Sequence, residues 1–512
     1  MLFVSDGWKN AHGETILPET FIEINFRITE PGLPEAAVIS ANHMESFSDA
    51  PKVRGDVGQK YTTLEWNAWG LDGTFDYFDG SPTNPGYVTD VICDENAAYS
   101  VAPAITLSFD SVRKGPIPGV TICWSDSFDE WASSFRITVY NGSNVVAQTT
   151  VENNTSHVST VWIEYQNFDK VVVEVLEWCL PYRRCRTMCV FLGIEATYRK
   201  KNLLGFSHSQ RVDLLSASLP KNELSFQLDN SDDKWNPDNP SGVEKYLTER
   251  QKLTLRYGMI VDGATEWLDA GTFWLSEWNT PTNGLAADFV ARDAVQFMED
   301  VYTGIKSGTL YVIAEAALKQ ISIDGNAVEY VIDNSLKSIT TDFSDSTEQY
   351  TVSNVLQMVA HMGCCVFYSD ANGAVHIEPL SEELTDFEIL PLISYTHPEF
   401  NISKPLKAVS VEYGEQAVVV EVGANGEVQT VSNDFITTSA AATRVANAAI
   451  KVLKNRKTIS GEYRADPRLE ALDVITVHNK YATNKVVVTD VLVSTTGGGL
   501  RGVYEGRVID DG

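Results

Sequence analysis

The sequence predicts a mainly β, multidomain protein with α+β parts. Three observations point there. The 512 residues are too many for one hydrophobic core, so several domains are expected. A composition that is 43% hydrophobic and 10% aromatic is that of a packed globular chain, not a disordered one. Along most of the chain, apolar residues recur with a period of two.

Taken in order, the strand readings are residues 14–28 (containing ETFIEINFRI), ITLSFDSV (105–112), FRITVYNGSNVVAQTTV (135–151), STVWIEYQ (159–166) and KVVVEVLEW (170–178). YNGSN (140–144) reads as a tight hairpin turn. SNVLQMVAHMG (353–363) predicts a helix with Val352, Val355, Leu356, Val359 and Met362 on one face, Ser353 as N-cap and Gly363 at its end. TSAAATRVANAAIKVLKN (438–455) predicts an Ala-rich helix, and LYVIAEAALKQI (310–321) a shorter one. Residues 76–90, DYFDGSPTNPGYVTD, read as a linker. The next run of short strands, to about Ile194, is the size of one β-sandwich and reads as an insertion, because the strands before it are too few to close a sheet.

Charge excludes one broad class. With 69 acidic and 39 basic residues the net charge is -30, and such a surface repels phosphate backbones. No apolar run reaches the roughly 18–20 residues of a membrane span. The start, MLFVSDGWKNAHGE, lacks a basic region followed by an apolar core, so synthesis in the cytoplasm without a secretory signal is expected. The seven cysteines show no CxxC spacing, and Cys364 and Cys365 are adjacent. Reduced, mostly buried thiols are expected, not a disulfide framework or a zinc knuckle.

The stretch most suggestive of chemistry is LSFQLDNSDDKWNPDNPSGVEKYLTERQKLTLRYG, from Leu224 to Gly258. Leu224, Phe226 and Leu228 alternate with Ser225 and Gln227, and Asp229 and Asn230 end the strand. Asp229, Ser231 and Asp233 alternate as calcium ligands would, but Lys234 stands at the sixth position and no Glu follows at the twelfth. Adjacent Asp residues in one loop do not face each other across a cleft, as acid/base catalysis requires. A stiff structural corner is therefore expected, with no metal and no catalytic residue. Trp235, an indole in a polar loop, is expected to dock on something, a neighbouring subunit being the candidate. Elsewhere, Gly497–Gly499 lack a phosphate-loop context and read as a hairpin, the eight histidines show no HExxH spacing, and no GxSxG occurs.

Several segments carry a family resemblance. LPKNELSFQLDNSDDKWNPDNPSG…YLTERQKLTLRYG, followed by WLDAGTFWLSEWNTPTNGLAADFVARDAVQFM, resembles the tail-hub and baseplate-hub proteins of phages and prophages of Gram-positive bacteria. NVLQMVAHMGCCVFYSDANGAVHIEPL (354–380), YTHPEFNISKPLKAVSVEYGE (395–415), ISGEYRADPRLEALDVITV (459–477) and YTTLEWNAWGLDGTF (61–75) are similar too, so about two-thirds of the chain is covered in the family's order. The resemblance implies tail-tube-like β-barrels with an α+β piece between them, assembled as a homotrimer. The domains expected are a discontinuous first barrel (1–80 and 196–302), an inserted sandwich (81–195), an α+β domain (303–392) and a second barrel (393–512).

Residues 86–195 resemble a galactose-binding-like jelly-roll module by strand order and by the FRITVYNG hairpin. That resemblance implies sugar-binding loops, with Trp124, Asp126, Asp129, Trp131, Tyr182, Arg183 and Arg184 as candidates. A purely structural or subunit-contact role for the module is the competing expectation.

The resemblance thus implies a structural virion protein without enzymatic activity or cofactor, placed at the tail tip or baseplate after assembly in the host cytoplasm. Its expected partners are tail-tube or distal tail proteins, the tape measure and central spike or fibre proteins, with DNA sliding through an acidic lumen. A carbohydrate-binding adhesin recognising host cell-surface glycans is the alternative, and a cell-wall hydrolase a third.

Overall fold

The computed structural model describes residues 1–14, 18–50, 62–68, 86–125, 127–280, 284–496 and 499–509. Most of the expected linker 76–90, Asp126, and Gly497 and Gly498 of the expected hairpin lie outside the described residues. The chain is mostly β, with several sheets and more than one domain. It divides into two units: residues 1–25, 197–242 and 252–512, and residues 26–196 and 243–251.

In the first unit a single sheet runs 20–25 (the first part of the strand Thr20–Ile28), Lys252–Val261, Ala264–Asn279, Ala286–Arg292, Lys221–Asp229, Leu203–Arg211, Thr483–Thr496, Gly499–Ile509, Lys457–Arg464, Glu399–Ile402. Val474–His478 branches from Thr483–Thr496 and pairs in parallel with Leu384–Ile389. Alternation decides which side of each strand is dry. In Lys221–Asp229, Leu224, Phe226 and Leu228 are buried, and Phe226 stacks on its register partner Phe289 at 5.1 Å. The region 14–28 forms its strand only from Thr20; a helix at Asp6–Gly13, capped by Ser5, precedes it.

The three sequence-predicted helices form at Leu310–Gln320, Val352–Gly363 and Ser439–Leu453. Each begins with a threonine whose hydroxyl accepts an amide of the first turn: Thr309 from Val312, Thr351 from Asn354, Thr438 from Ala441. The cap of the middle helix is therefore Thr351, not Ser353, which is buried inside the first turn with its Oγ 3.0 Å from that of Thr351. Its far end closes through Cys364 in the left-handed region (φ 58°), one residue beyond Gly363. Ser439–Leu453 packs on a three-stranded sheet of Leu406–Tyr413, Gln416–Glu421 and Glu427–Val431, and all three helices share one core.

The Asp/Asn-rich loop is a staircase. Asn230, Asp233, Asn236 and Asn239 recur every third residue, and each carbonyl accepts the amide three positions on, with N···O distances of 3.0, 3.1, 3.0 and 2.9 Å, ending at Gly242. Asp229, Asn236 and Asn239 each accept the amide two residues on through a side-chain oxygen, all at 3.0 Å. Gly242 is required, since a Cβ there would sit 2.7 Å from the Lys234 carbonyl. Asn230 is the pivot: Oδ1 accepts from the Trp235 amide at 2.9 Å, and Nδ2 donates to the Gly284 carbonyl at 3.1 Å. The Trp235 ring is 0% exposed, edge-on to Phe289 at 5.0 Å and tilted against Tyr198. The subunit contact expected of it is thus replaced by packing inside its own chain.

The second unit is a β-sandwich. One sheet orders Val38–Ala41, Ala104–Arg113, Phe168–Trp178, Ala132–Asn141, Asn144–Val151; the other orders Tyr87–Ile92, Arg184–Leu192, Ile117–Trp124, Val158–Tyr165. The expected hairpin forms, with Asn141 opposite Asn144 and Gly142 at φ 58°. Trp124, Phe135, Trp178, Ile122, Val173 and Val190 meet in its core, with Trp124 edge-on to Trp178 at 6.0 Å.

Asn230→Ala should destabilise the first unit by about 2–3 kcal/mol, because it strands the buried Trp235 amide. Asp232→Asn, on the exposed rim, should change stability by less than about 0.5 kcal/mol. Denaturant unfolding of both variants followed by tryptophan fluorescence checks the contrast.

Candidate functional site

Three places hold residues that could act on something else: the wet face of the long sheet, one end of the sandwich, and a carboxylate-lined cavity in the first unit.

The wet face follows from the alternation above. Val290, Ser225, Ser207, Ser494 and Arg501 oppose one another in successive strands, forming a row across five of them. A second row joins Asp288, Gln227 and Gly205, with Gln227 Nε2 donating to Asp288 Oδ1 at 2.8 Å. Charges on this face are mostly tied to opposite charges. Arg292 reaches Glu223 at 3.3 Å and Glu277 at 2.8 Å, Arg256 reaches Asp269 at 3.0 Å, and Arg501 pairs with Glu462. The face offers short hydroxyls and neutralised charges, a surface with little grip on a polyanion.

At one end of the sandwich, the segments 127–131, 152–157 and 179–183 come together. Asp129, exposed and at φ 54°, lies 2.9 Å from His157 Nε2. Trp131 sits edge-on to His157 at 5.0 Å and donates its indole N–H to the Asn154 carbonyl at 2.9 Å. Trp131 also binds Cys179 through the backbone, which brings in the turn carrying the exposed Tyr182. Asp129 and Trp131 are thus assembled, with His157 as a partner the sequence reading missed. Its signal was weak: a single histidine in a polar turn.

Two other candidates are core residues. Trp124 is 1% exposed and donates its indole N–H to Ser159 Oγ at 2.8 Å. Arg183 is buried. Its Nε donates to Glu130 Oε1 at 2.7 Å, and its terminal nitrogens donate to the carbonyls of Trp66 and Asn67. Neither can meet a sugar, because packing and hydrogen bonds inside the fold already occupy it. Arg184 is half-buried, donating to Glu45 at 2.8 Å and to the Thr89 carbonyl at 2.9 Å. Behind them Arg186, 1% exposed, pairs with Glu65 and lies 3.5 Å from Glu130. Trp178 donates its indole N–H to Glu130 at 2.8 Å. Burial pushes the Glu130 carboxyl up, and Arg186, Trp178 and Arg183 pull it back.

The cavity, about 280 Å³, is lined by Asp293, Asp370, Glu378, Glu470 and Asp473 together with Tyr368, Ser369, Arg211 and Lys221. Most of these carboxylates have partners. His376 bridges Glu378 at 3.0 Å and Asp370 at 3.2 Å beneath the stacked ring of Tyr368, and these hydrogen bonds, that to Asp370 first, raise its pKa. Glu470 and Asp473 hold the Met1 ammonium, and burial pushes Glu470 up to about 7. Asp293 differs. Its Oδ2 accepts from Ser369 Oγ, while its Oδ1 has no hydrogen-bond partner, and burial pushes the carboxyl up to about 7. Asp293 immediately precedes the turn Ala294–Phe297, and the Ser369 hydroxyl followed by the Gln296 and Val295 amides pulls its pKa back against that burial. The arrangement can hold a proton at neutral pH. Among the described residues, no group of three His, Cys, Asp or Glu side chains converges as metal ligands.

No family model and no curated protein matches the chain. Among solved structures it is similar to the 43 kDa tail protein of prophage MuSo2 from Shewanella oneidensis, at 12% identity and a TM-score of 0.44, covering 61% of this chain and 95% of that one. It is similar to the tail protein from Neisseria meningitidis MC58 at 11% identity and a TM-score of 0.44, covering 62% and 93%. The structural neighbours include prophage and phage tail proteins, baseplate proteins and VgrG-like proteins of type VI secretion. A family 32 carbohydrate-binding module from C. perfringens, solved with galactose, is a partial neighbour at 13% identity and a TM-score of 0.21, covering 34% of this chain and 99% of that one.

Two outcomes follow. Glu130→Ala leaves the Arg183 and Arg186 guanidinium groups buried without that carboxylate and should cost about 3–5 kcal/mol, whereas Arg184→Ala, at a half-exposed pair, should cost about 1 kcal/mol or less. For Asp293, a carboxyl raised from its ordinary 3.8 to about 7 contributes stability that is complete below pH 3.8 and lost as the pH rises through 7. Asp293→Asn should therefore match the parent near pH 4 and exceed it at pH 8 by on the order of 3 kcal/mol. Urea unfolding at the two pH values measures this.

Proposed function

We propose that this chain is a structural tail protein, the hub at the distal end of a phage or phage-like tail, where it closes the tube and anchors spike or fibre proteins. The observation that carries this reading is the part of the long sheet from Ala286–Arg292 to Gly499–Ile509 in which one face is dry and the other carries a row of short hydroxyls and neutralised charges. Such a face suits the wall of a passage that DNA slides along without sticking. The tail-hub-like segments between Leu224 and Val477 support the same reading, since many of them are strands of that sheet. On this proposal the domains are a first barrel (1–80 and 196–302), an inserted sandwich (81–195), an α+β domain (303–392) and a second barrel (393–512). Three copies form a ring, covering the sheet edges that a single copy leaves open. The role is geometric and non-enzymatic, with tail-tube, tape-measure and spike or fibre proteins as partners at the virion tail tip.

A second reading, an adhesin recognising host cell-surface glycans, is favoured by the Asp129–His157 pair beside Trp131 and Tyr182 at one end of the sandwich. There a sugar could meet aromatic faces and a carboxylate together.

The hub reading expects a trimer by light scattering that co-purifies with tail-tube or baseplate subunits. Replacing Ser207, Ser225 and Ser494 together by Lys should slow DNA release from assembled particles at least tenfold without preventing assembly, because the passage would then grip phosphate. A monomer absent from particles, or unaltered release, would contradict it. The adhesin reading expects Asp129→Ala and His157→Ala to abolish binding of the full chain to host cell-wall glycans.

A further inference from the structure

We infer that Cys123 and Cys189 form a latent cross-strand disulfide, open under reducing conditions and closed by exchange with a small-molecule disulfide. The two residues are direct register partners in the antiparallel ladder between Ile117–Trp124 and Arg184–Leu192, the central pair of the four-stranded sheet. Val190 opposite Ile122, Phe191 opposite Thr121 and Leu192 opposite Val120 fix the register on one side. Directly opposed residues in an antiparallel pair hold their Cα atoms about 4.5–5.5 Å apart. That lies within the range of about 4.4–6.8 Å that a disulfide spans.

Side-chain direction agrees. Opposed residues leave a sheet on the same face. Val190 and Ile122 both point into the sandwich core, so Cys189 and Cys123, one position along, share the other face. There the neighbouring Cys123 thiol, followed by burial, raises the pKa of Cys189. The other five cysteines have different surroundings. Cys93 and Cys179 accept backbone amides at 3.2 and 3.3 Å, Cys185 lies 3.7 Å from the Thr187 hydroxyl, and Cys364 and Cys365 are neighbours in sequence.

Exposure sets the order of events. Cys123 is partly exposed and Cys189 is buried. The Cys123 thiolate attacks one sulfur of a small disulfide RSSR, and the S–S bond breaks with RS⁻ leaving to take up the proton that Cys123 lost. The Cys189 thiolate then attacks Cys123 Sγ in the mixed disulfide, expelling the second RS⁻, which takes up the proton from Cys189. Two protein thiols are oxidised and one RSSR is reduced to two RSH. The product ties the two central strands together and closes a covalent loop from 123 to 189, restricting the unfolded chain. The chemistry rests on the ladder alone; its timing rests on the tail reading, in which a particle built in a reducing cytoplasm is released into oxidising surroundings.

The test uses the full chain with oxidised glutathione, followed by peptide mapping without reduction. The expected result is a species two hydrogens lighter in which peptides carrying Cys123 and Cys189 are linked, reversed by dithiothreitol, with the sandwich's thermal midpoint raised by roughly 4 °C or more. Cys123→Ser and Cys189→Ser should each abolish the link, and Cys179→Ser should leave it unchanged. A glutathione adduct that persists at Cys123, a link between other cysteines, or no reaction would each overturn the inference. The mapping on the unsubstituted chain stands even if a variant fails to fold. Neither readout depends on trimer formation or tail association, so failure here and failure of the hub reading are separable.

Discussion

A sheet that continues through many strands must satisfy two environments at once, and that constraint shapes the first unit. Strands such as Lys221–Asp229 and Leu203–Arg211 have to keep their large apolar residues on one side, since a slip of one position would turn the whole set outward. The register pairs show the cost being avoided: Phe226 meets Phe289 on the dry side, and Ser225 meets Ser207 on the wet side. The staircase from Asn230 to Gly242 belongs to the same constraint. It returns the chain from one strand with every turn capped by its own side chains, and it drives Trp235 into the layer beneath. A loop that looked like chemistry is a rigid way of ending one strand and starting another.

The sandwich is constrained differently. Glu65, Glu130, Arg183 and Arg186 are all buried, and each carboxylate faces more than one donor. Replacing such a group with apolar residues often costs little, whereas breaking it costs several kcal/mol. Its contribution is therefore specificity more than stability. The Arg183 and Arg184 segment can sit correctly only when the residues at 65–67 supply their carboxylate and carbonyls. The exposed Asp129 and Tyr182 are positioned by flanking residues that this network holds.

Much of this was legible in sequence because it is local. The strands over 105–178 and the three helices announce themselves by period and caps, and the Asn-Gly hairpin by its turn residues. The error at Ser353 has a local cause too: Thr351 and Ser353 are both competent caps, and the choice depends on where Val352 finds its core. What was not legible is what long-range packing decides. Val38–Ala41 is too short to assign by pattern, and only pairing with Ala104–Arg113 places it in the sandwich. Arg183 reads as a sugar-binding candidate until Glu130 arrives from another loop. Trp124 and Trp131 flank the same segment, and only the fold makes one core and leaves the other half-exposed. Cys123 and Cys189 are 66 positions apart, so no spacing rule could pair them.

The same long-range logic governs how the first unit responds to acid and base. His208 is buried with Asn222 Oδ1 at 3.0 Å and the Tyr257 hydroxyl at 3.2 Å, and burial pushes its pKa down to about 4. A histidine held below its ordinary 6.5 contributes stability that is present above pH 6.5 and lost as the pH falls through 4. Asp293 acts in the opposite sense, its contribution fading as the pH rises through 7. Across the interval between 4 and 6.5 the two slopes oppose each other, so neither dominates. Below that interval the fold must charge an imidazole inside its core; above it, a carboxylate whose Oδ1 has no partner. His208 sits on the strand Leu203–Arg211 and Asp293 just beyond Ala286–Arg292, so the burial that the sheet imposes sets both shifts.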